Sequence, residues 1–186
     1  MNDQHAHLKE CAAEAARVAH AVPRERLDGP TPCAQFDLRE LVNHLVLYTS
    51  YGLEHRALRT EIPDELTARD FTADPAWPQE YAARLDRAVA AWADPAVWEG
   101  DIDGTPAADV AAMMIMELAL HGWDVATAVG EEYRLSPETG EFVLGIVEKY
   151  ADMYRQYDGF AAPAPVPDDA PAFDRAVAAS GRRRPA

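Results

Sequence analysis

An all-α fold, a four-helix bundle with an additional C-terminal helix, is what this sequence predicts, on three observations. Five segments carry apolar residues at spacings of three and four, the period of a helix buried along one face. Helix start and stop signals stand at the ends of these segments. No alternation of strands with helices, the mark of a parallel sheet, occurs in the 186 residues. A chain of that length, 48% hydrophobic and 26% charged, can bury one sizeable core.

The first helix is expected over residues 3–21, where Leu8, Cys11, Ala15, Val18 and Val22 share a face and Pro23 stops the run. Residues 24–36 form a loop around Gly29-Pro30-Thr31-Pro32. The second helix has the strongest start signal. Asp37 is an N-cap, Glu40 completes a capping box three residues on, and Phe36 and Leu41 occupy the staple positions. It runs to about residue 59. Residues 60–76 are polar and aperiodic, a connection long enough to cross the bundle. A third helix follows Pro78 with Ala82, Leu85, Val89 and Trp92 inward, and residues 94–104 read as a short extended piece.

Thr105-Pro106 reads as an N-cap followed by proline at the first helical position, opening a fourth helix that ends at Gly130. Ser136-Pro137 opens a fifth, reaching about Tyr157. Residues 159–172 are rich in proline and alanine, residues 173–180 can form further turns, and the arginines Arg182–Arg184 read as a frayed tail. The expected division is a helical bundle over residues 1–160 and a Pro/Ala-rich extension over 161–186.

Charge narrows the function. The chain has 32 acidic and 17 basic residues, a net −15 that repels phosphate backbones and anionic membrane surfaces, so neither nucleic acid nor membrane is an expected partner. The start, from Met1 to His5, has neither the basic nor the apolar region of a signal peptide, and no stretch is apolar enough to span a bilayer. Two cysteines, Cys11 and Cys33, make no disulfide framework, so a cytoplasmic protein is expected. Any metal must sit on histidine and carboxylate.

Two places break the apolar pattern. Within residues 110–123 the ionisable side chains are Glu117 and His121, four apart and on one helix face. His44 lies among aliphatic neighbours in the second helix, in a stripe with Leu41, Tyr48 and Tyr51. Such groups are costly to bury unless satisfied. If the second and fourth helices face each other, His44, Glu117 and His121 converge into the ligand set of a catalytic zinc or another first-row cation, with Met113, Met116 and Trp123 as apolar walls. The competing reading is a Glu117–His121 salt bridge and a core histidine. Asp124 can accept a bond from a ligand histidine or be an ordinary charge near a helix end. His5, His7 and His20 lie on the first helix, with His5 and His7 read as exposed, His55 reads as exposed or at a pocket mouth, and Cys33 as a buried structural thiol rather than a reactive one. Nucleotide-binding and nucleophile-elbow motifs are absent.

Thr31-Pro32-Cys33, then Phe36-Asp37-Leu38-Arg39-Glu40-Leu41-Val42-Asn43-His44-Leu45, then Glu117-Leu118-Ala119-Leu120-His121-Gly122-Trp123-Asp124, together resemble the mycothiol-dependent maleylpyruvate isomerase N-terminal family. That family belongs to the DinB-like superfamily of metal-binding bundles. The segment from Val166 to Arg175 resembles small actinobacterial members. The resemblance implies a four-helix bundle holding a divalent metal, zinc or nickel, on His44, Glu117 and His121. It also implies mycothiol or a similar low-molecular-weight thiol bound near the metal, with Tyr48, Tyr51 and Trp123 as the candidate wall. Two departures stand out. The isomerase has a second, C-terminal domain contributing to its active site, where this chain shows a short tail, and Phe36 stands where tryptophan is common.

The function expected is a metal-dependent enzyme in which the cation activates a thiol to attack an electrophilic carbon of a small substrate, giving transferase or isomerase chemistry. A binding bundle without turnover and a purely structural bundle are the alternatives. The partners expected are the thiol and the substrate. Bundle relatives are often dimers, which leaves the oligomeric state open between monomer and homodimer.

Overall fold

The structure, a computed structural model, describes residues 3–183. Met1 and Asn2, from the stretch read as lacking a signal peptide, and Arg184, from the tail read as frayed, lie outside the described residues. The chain forms two compact units, residues 1–133 and 134–186, so residue 160, where the sequence sets its boundary, falls inside the second.

The first unit contains α1 (Asp3–His20), α2 (Leu38–His44), a π-helical segment (Leu45–Tyr51), α3 (Gly52–Leu58), the short α4 (Asp64–Thr67), α5 (Trp77–Ala91), strands β1 (Asp101–Ile102) and β2 (Thr105–Pro106), and α6 (Ala107–Val129). From α2 to α3 the chain is one continuous rod, so four long rods make the bundle. α1 packs on α5 and α6, and the α2–α3 rod packs on the same two from the other side. α1 therefore stands diagonal to α2–α3, and α5 diagonal to α6. Residues 60–76, long enough to cross, instead join the packed neighbours α3 and α5. The diagonal steps are made by 21–37 and 92–106. Leu8, Leu41, Leu53, Leu85, Ile115 and Leu118 are sealed at the centre, each burial worth about 1.5–3 kcal/mol.

The capping box is present as the sequence indicates. Glu40 N donates to Asp37 Oδ1 at 2.8 Å, and Asp37 N donates to Glu40 Oε2 at 3.0 Å. Asp37→Ala is expected to lower stability by about 1 kcal/mol, readable as a shifted denaturant midpoint at unchanged slope.

The π segment begins directly after His44. Its wider turn leaves side-chain hydroxyls to bond backward: Thr49 Oγ1 donates to Leu45 O at 2.7 Å, and Ser50 Oγ donates to Val46 O. Because the single Thr49 proton is committed, Tyr81 OH donates to Thr49 Oγ1 at 2.8 Å, fixing α5 to this segment.

One element differs from the sequence reading. Thr105-Pro106 does not cap α6 with a side chain but forms a strand paired with Asp101–Ile102. The turn between them is Asp103-Gly104, both left-handed with φ 51° and 80°, the arrangement that Asp-Gly favours in a two-residue hairpin. Gly130, at φ 81°, ends α6 as expected.

The second unit contains α7 (Pro137–Gln156), capped by Ser136, and α8 (Ala172–Ala179), packed on it. Arg182 is not frayed. It is 7% exposed, its Nη1 donates to Ser180 Oγ at 3.1 Å, and its guanidinium faces the Phe160 ring. No helix among the described residues is long and apolar enough to cross a membrane.

Candidate metal centre

His44 closes α2, while Glu117 and His121 stand one turn apart on α6, against which α2 packs. Helical period therefore aligns the α6 pair, and helix packing brings His44 to it. His121 Nε2 lies 3.2 Å and His44 Nε2 3.6 Å from Glu117 Oε2. One donor atom from each residue falls within 4.8 Å of the other two. Ligand atoms at ~2.0–2.1 Å from a tetrahedral zinc stand about 3.3 Å apart, so these separations suit one cation.

Two further observations test that fit. His44 Nε2 is buried without a hydrogen-bond partner, and the nearest carboxylate oxygen, at 3.6 Å, is beyond hydrogen-bond reach. Burial pushes the Glu117 carboxyl up, but the His121 and His44 imidazoles beside it outweigh that and hold it well below the usual carboxylate range. Glu117 is thus an anion facing two imidazoles, the donor set of a divalent cation.

One turn further on, Asp124 is 0% exposed, and its Oδ2 lies 3.0 Å from His121 Nδ1. A proton on Nδ1 satisfies Asp124 and leaves the Nε2 lone pair facing Glu117, the carboxylate–histidine relay of metal sites. Of the two sequence alternatives for Asp124, the geometry matches the bond to the histidine.

The centre is covered on one side. The Phe36 ring sits 5.1 Å from the His44 ring and 6.2 Å from the His121 ring. Beside His44 opens a cavity of about 480 Å³, lined among others by Phe36, Leu47, Tyr48, Leu66 and Phe71. Its outer wall is tied to α2. Asn43 Nδ2 donates to Asp70 Oδ1 at 3.0 Å, and Phe71 N donates to Asn43 Oδ1 at 2.7 Å. Thr72 adds two bonds to the same Asp70 oxygen. Its hydroxyl bond leads in holding that carboxyl below the ordinary range, against the opposing effect of burial.

The other sequence candidates separate. Tyr48 is 40% exposed, with its ring 4.9 Å from the His44 ring, at the cavity. Tyr51 is buried beneath the Arg84 guanidinium, 3.5 Å from its ring centre, and beside Phe71. Trp123 is 3% exposed and lies about 200° around α6 from His121. Met116 is fully buried in the core. Cys33, read as structural, is half-buried, and its Sγ lies within 4.8 Å of a His121 nitrogen and an Asp124 oxygen. Cys11 is fully buried, and burial pushes its thiol far up. Sequence reasoning missed Phe36 as a cover. The signal available was its place just ahead of the capping box, where the loop must turn onto α2.

Comparison with known proteins identifies the family of the chain. Two relatives from Mycobacterium tuberculosis, one from strain CDC 1551 / Oshkosh and one from strain ATCC 25618 / H37Rv, are each 27% identical over 181 residues. The alignment spans 95% of this chain and 96% of the relative, and both are described as uncharacterised proteins. No solved structure matches the chain significantly. Residues 8–126, which hold every residue of the centre, match the family described as Mycothiol maleylpyruvate isomerase N-terminal domain, and the chain belongs to that family.

Proposed function

We propose that the protein is a divalent-metal-dependent enzyme that activates a low-molecular-weight thiol, mycothiol or a close analogue, for transfer to or isomerisation of a small substrate. The single observation that carries this reading is the donor set His44, Glu117 and His121, gathered from two helices with one donor atom of each within 4.8 Å of the others. Zinc is the favoured cation and nickel the alternative, since two imidazoles and one carboxylate suit both. When bound, such a cation lowers the pKa of a thiol at its open position toward neutrality.

The chain's own residues do the rest. Asp124 keeps the proton of His121 on Nδ1. Phe36 excludes water from one side, and Tyr48 offers an aromatic wall to a thiol entering through the cavity. Tyr51 and Trp123, buried behind, keep the rods in place rather than meeting the ligand. The Asn43–Asp70 bonds hold the cavity open beside His44.

Loading the protein with cobalt(II) and adding mycothiol is expected to produce a sulfur-to-cobalt charge-transfer band, absent in His121→Ala. Failure of the wild-type spectrum to change would remove the thiol from the reading. Binding of the thiol at one equivalent with no product from any electrophile would assign a binding bundle instead. Asp124→Asn, which disturbs the tautomer of His121, is expected to weaken zinc binding about 10–100-fold, measured by competition with a chromogenic chelator.

A further inference from the structure

We propose that Cys33 is a positioning residue for the metal centre: its thiol donates to the Asp124 carboxylate and thereby holds His121 with Nε2 turned to His44 and Glu117. The inference rests on the metal-centre reading above and extends it to a residue outside the ligand set.

Cys33 Sγ, a nitrogen of His121 and an oxygen of Asp124 lie mutually within 4.8 Å. The cluster is distinct from that of His44, Glu117 and His121, and His121 is the member common to both. The imidazole is thus bracketed. One edge meets Glu117 at 3.2 Å and the other meets Asp124 at 3.0 Å, and the cysteine sulfur lies within 4.8 Å of an Asp124 oxygen. A carboxylate at 0% exposure needs several donors, because it has about four lone-pair directions to satisfy and no water to satisfy them. His121 Nδ1 fills one direction, and a thiol is a weak donor that gains strength on a charged acceptor.

The loop is built to deliver that thiol. Cys33 N donates to Thr31 Oγ1 at 3.1 Å, and the Thr31 hydroxyl lies 2.9 Å from both Cys33 O and Phe36 O. Phe36 N donates to Cys33 O at 3.0 Å. One closed turn therefore sets down two residues on the centre: Phe36 over the two imidazole rings, and Cys33 against the carboxylate behind one of them. The other cysteine, Cys11, is fully buried and belongs to neither cluster.

The test measures zinc affinity by chelator competition, together with the melting of the metal-free protein. Cys33→Ala is expected to weaken zinc binding about 10–100-fold, as changes behind a ligand histidine do. Cys33→Ser keeps a donor and is expected to stay within about threefold of wild type. The double variant with Asp124→Asn is expected to bind zinc no more weakly than Asp124→Asn alone, since both act through one carboxylate. Should Cys33→Ala not fold, methyl methanethiosulfonate on the folded protein replaces it. The Cys33 sulfur attacks the thiomethyl sulfur, Cys33–S–S–CH3 forms, methanesulfinate leaves and the thiol proton passes to solvent. The capped protein is expected to lose zinc affinity and recover it with dithiothreitol. Unchanged affinity in Cys33→Ala or in the capped protein, equal losses in Ser and Ala, or additive losses with Asp124→Asn each overturn the proposal. So does a sulfur-to-cobalt band without added thiol that Cys33→Ser abolishes, which would make Cys33 a ligand. A wild-type protein that binds no zinc overturns the metal reading itself, a result distinguishable from all of these.

Discussion

His44→Ala and His121→Ala, purified without a histidine tag, are expected to hold less than about a tenth of the wild-type metal by elemental analysis. Each removes one of the three proposed ligands, a larger loss than the ~10–100-fold that changes behind a ligand produce. The two variants should then diverge in the metal-free state. His121 separates two carboxylates, the half-buried Glu117 at 3.2 Å and the buried Asp124 at 3.0 Å, so its removal leaves both without that partner. Breaking a buried pair from one side costs about 3–5 kcal/mol. His44 stands 3.6 Å from Glu117, with no hydrogen bond from its Nε2 to lose, so His44→Ala should cost little until metal is added. Saturating zinc should stabilise the wild type by about 4 kcal/mol at a thousand times Kd, and a chelator should reverse it. A wild-type melting temperature indifferent to zinc and chelator would return Glu117 and His121 to a simple ion pair.

Gly122→Ala is expected to be the most damaging conservative change in the bundle. A Cβ there would stand 2.8 Å from Tyr133 Cζ and 2.9 Å from its hydroxyl, and would also strike Tyr133 Cε2. The ring is anchored. Its hydroxyl lies 3.1 Å from both Cys11 O and Leu118 O, deep in the first unit. Moving it exchanges a clash of about 1–3 kcal/mol for a lost bond to a buried group, itself about 1–3 kcal/mol. A melting temperature lower by roughly 2–12 °C is the expected reading for a chain of this size. Gly145→Ala is the control of opposite sign. No atom lies within 4 Å of its added Cβ on the exposed face of α7, and helix propensity favours alanine by about 1 kcal/mol. Equal effects at the two glycines would show that Tyr133 is not fixed.

The helices were legible because their ends are written in local chemistry. Asp37 with Glu40, Gly130 and Ser136 each act on their own backbone, and the sequence shows such residues directly. Thr105-Pro106 misled because proline suits both a first helical turn and the rim of a strand. The Asp103-Gly104 pair just before it decides for the strand, through two positive φ angles. Glu117 and His121 were legible by period, and His44 by its apolar neighbours. What was not legible depends on contacts distant in sequence. The loop that lays Phe36 and Cys33 on the centre reads only as a proline-rich break, and nothing in Leu45–Tyr51 announces a π turn. Arg182 looked like tail because its partners, Ser180 and Phe160, are an ordinary serine and an isolated aromatic.

The widened turn after His44 gives the α2–α3 rod two phases. The stretch before it aims the His44 imidazole at Glu117 on α6, and the stretch after it aims Leu53 and Ala57 into the core, α3 packing on α5. With about 100° of rotation per residue, a uniform helix would keep one of these alignments and forfeit the other. Chain length within that turn is therefore under tighter constraint than the identity of its residues: shortening it by one would swing the imidazole about a quarter-turn off target while every apolar side chain was still present.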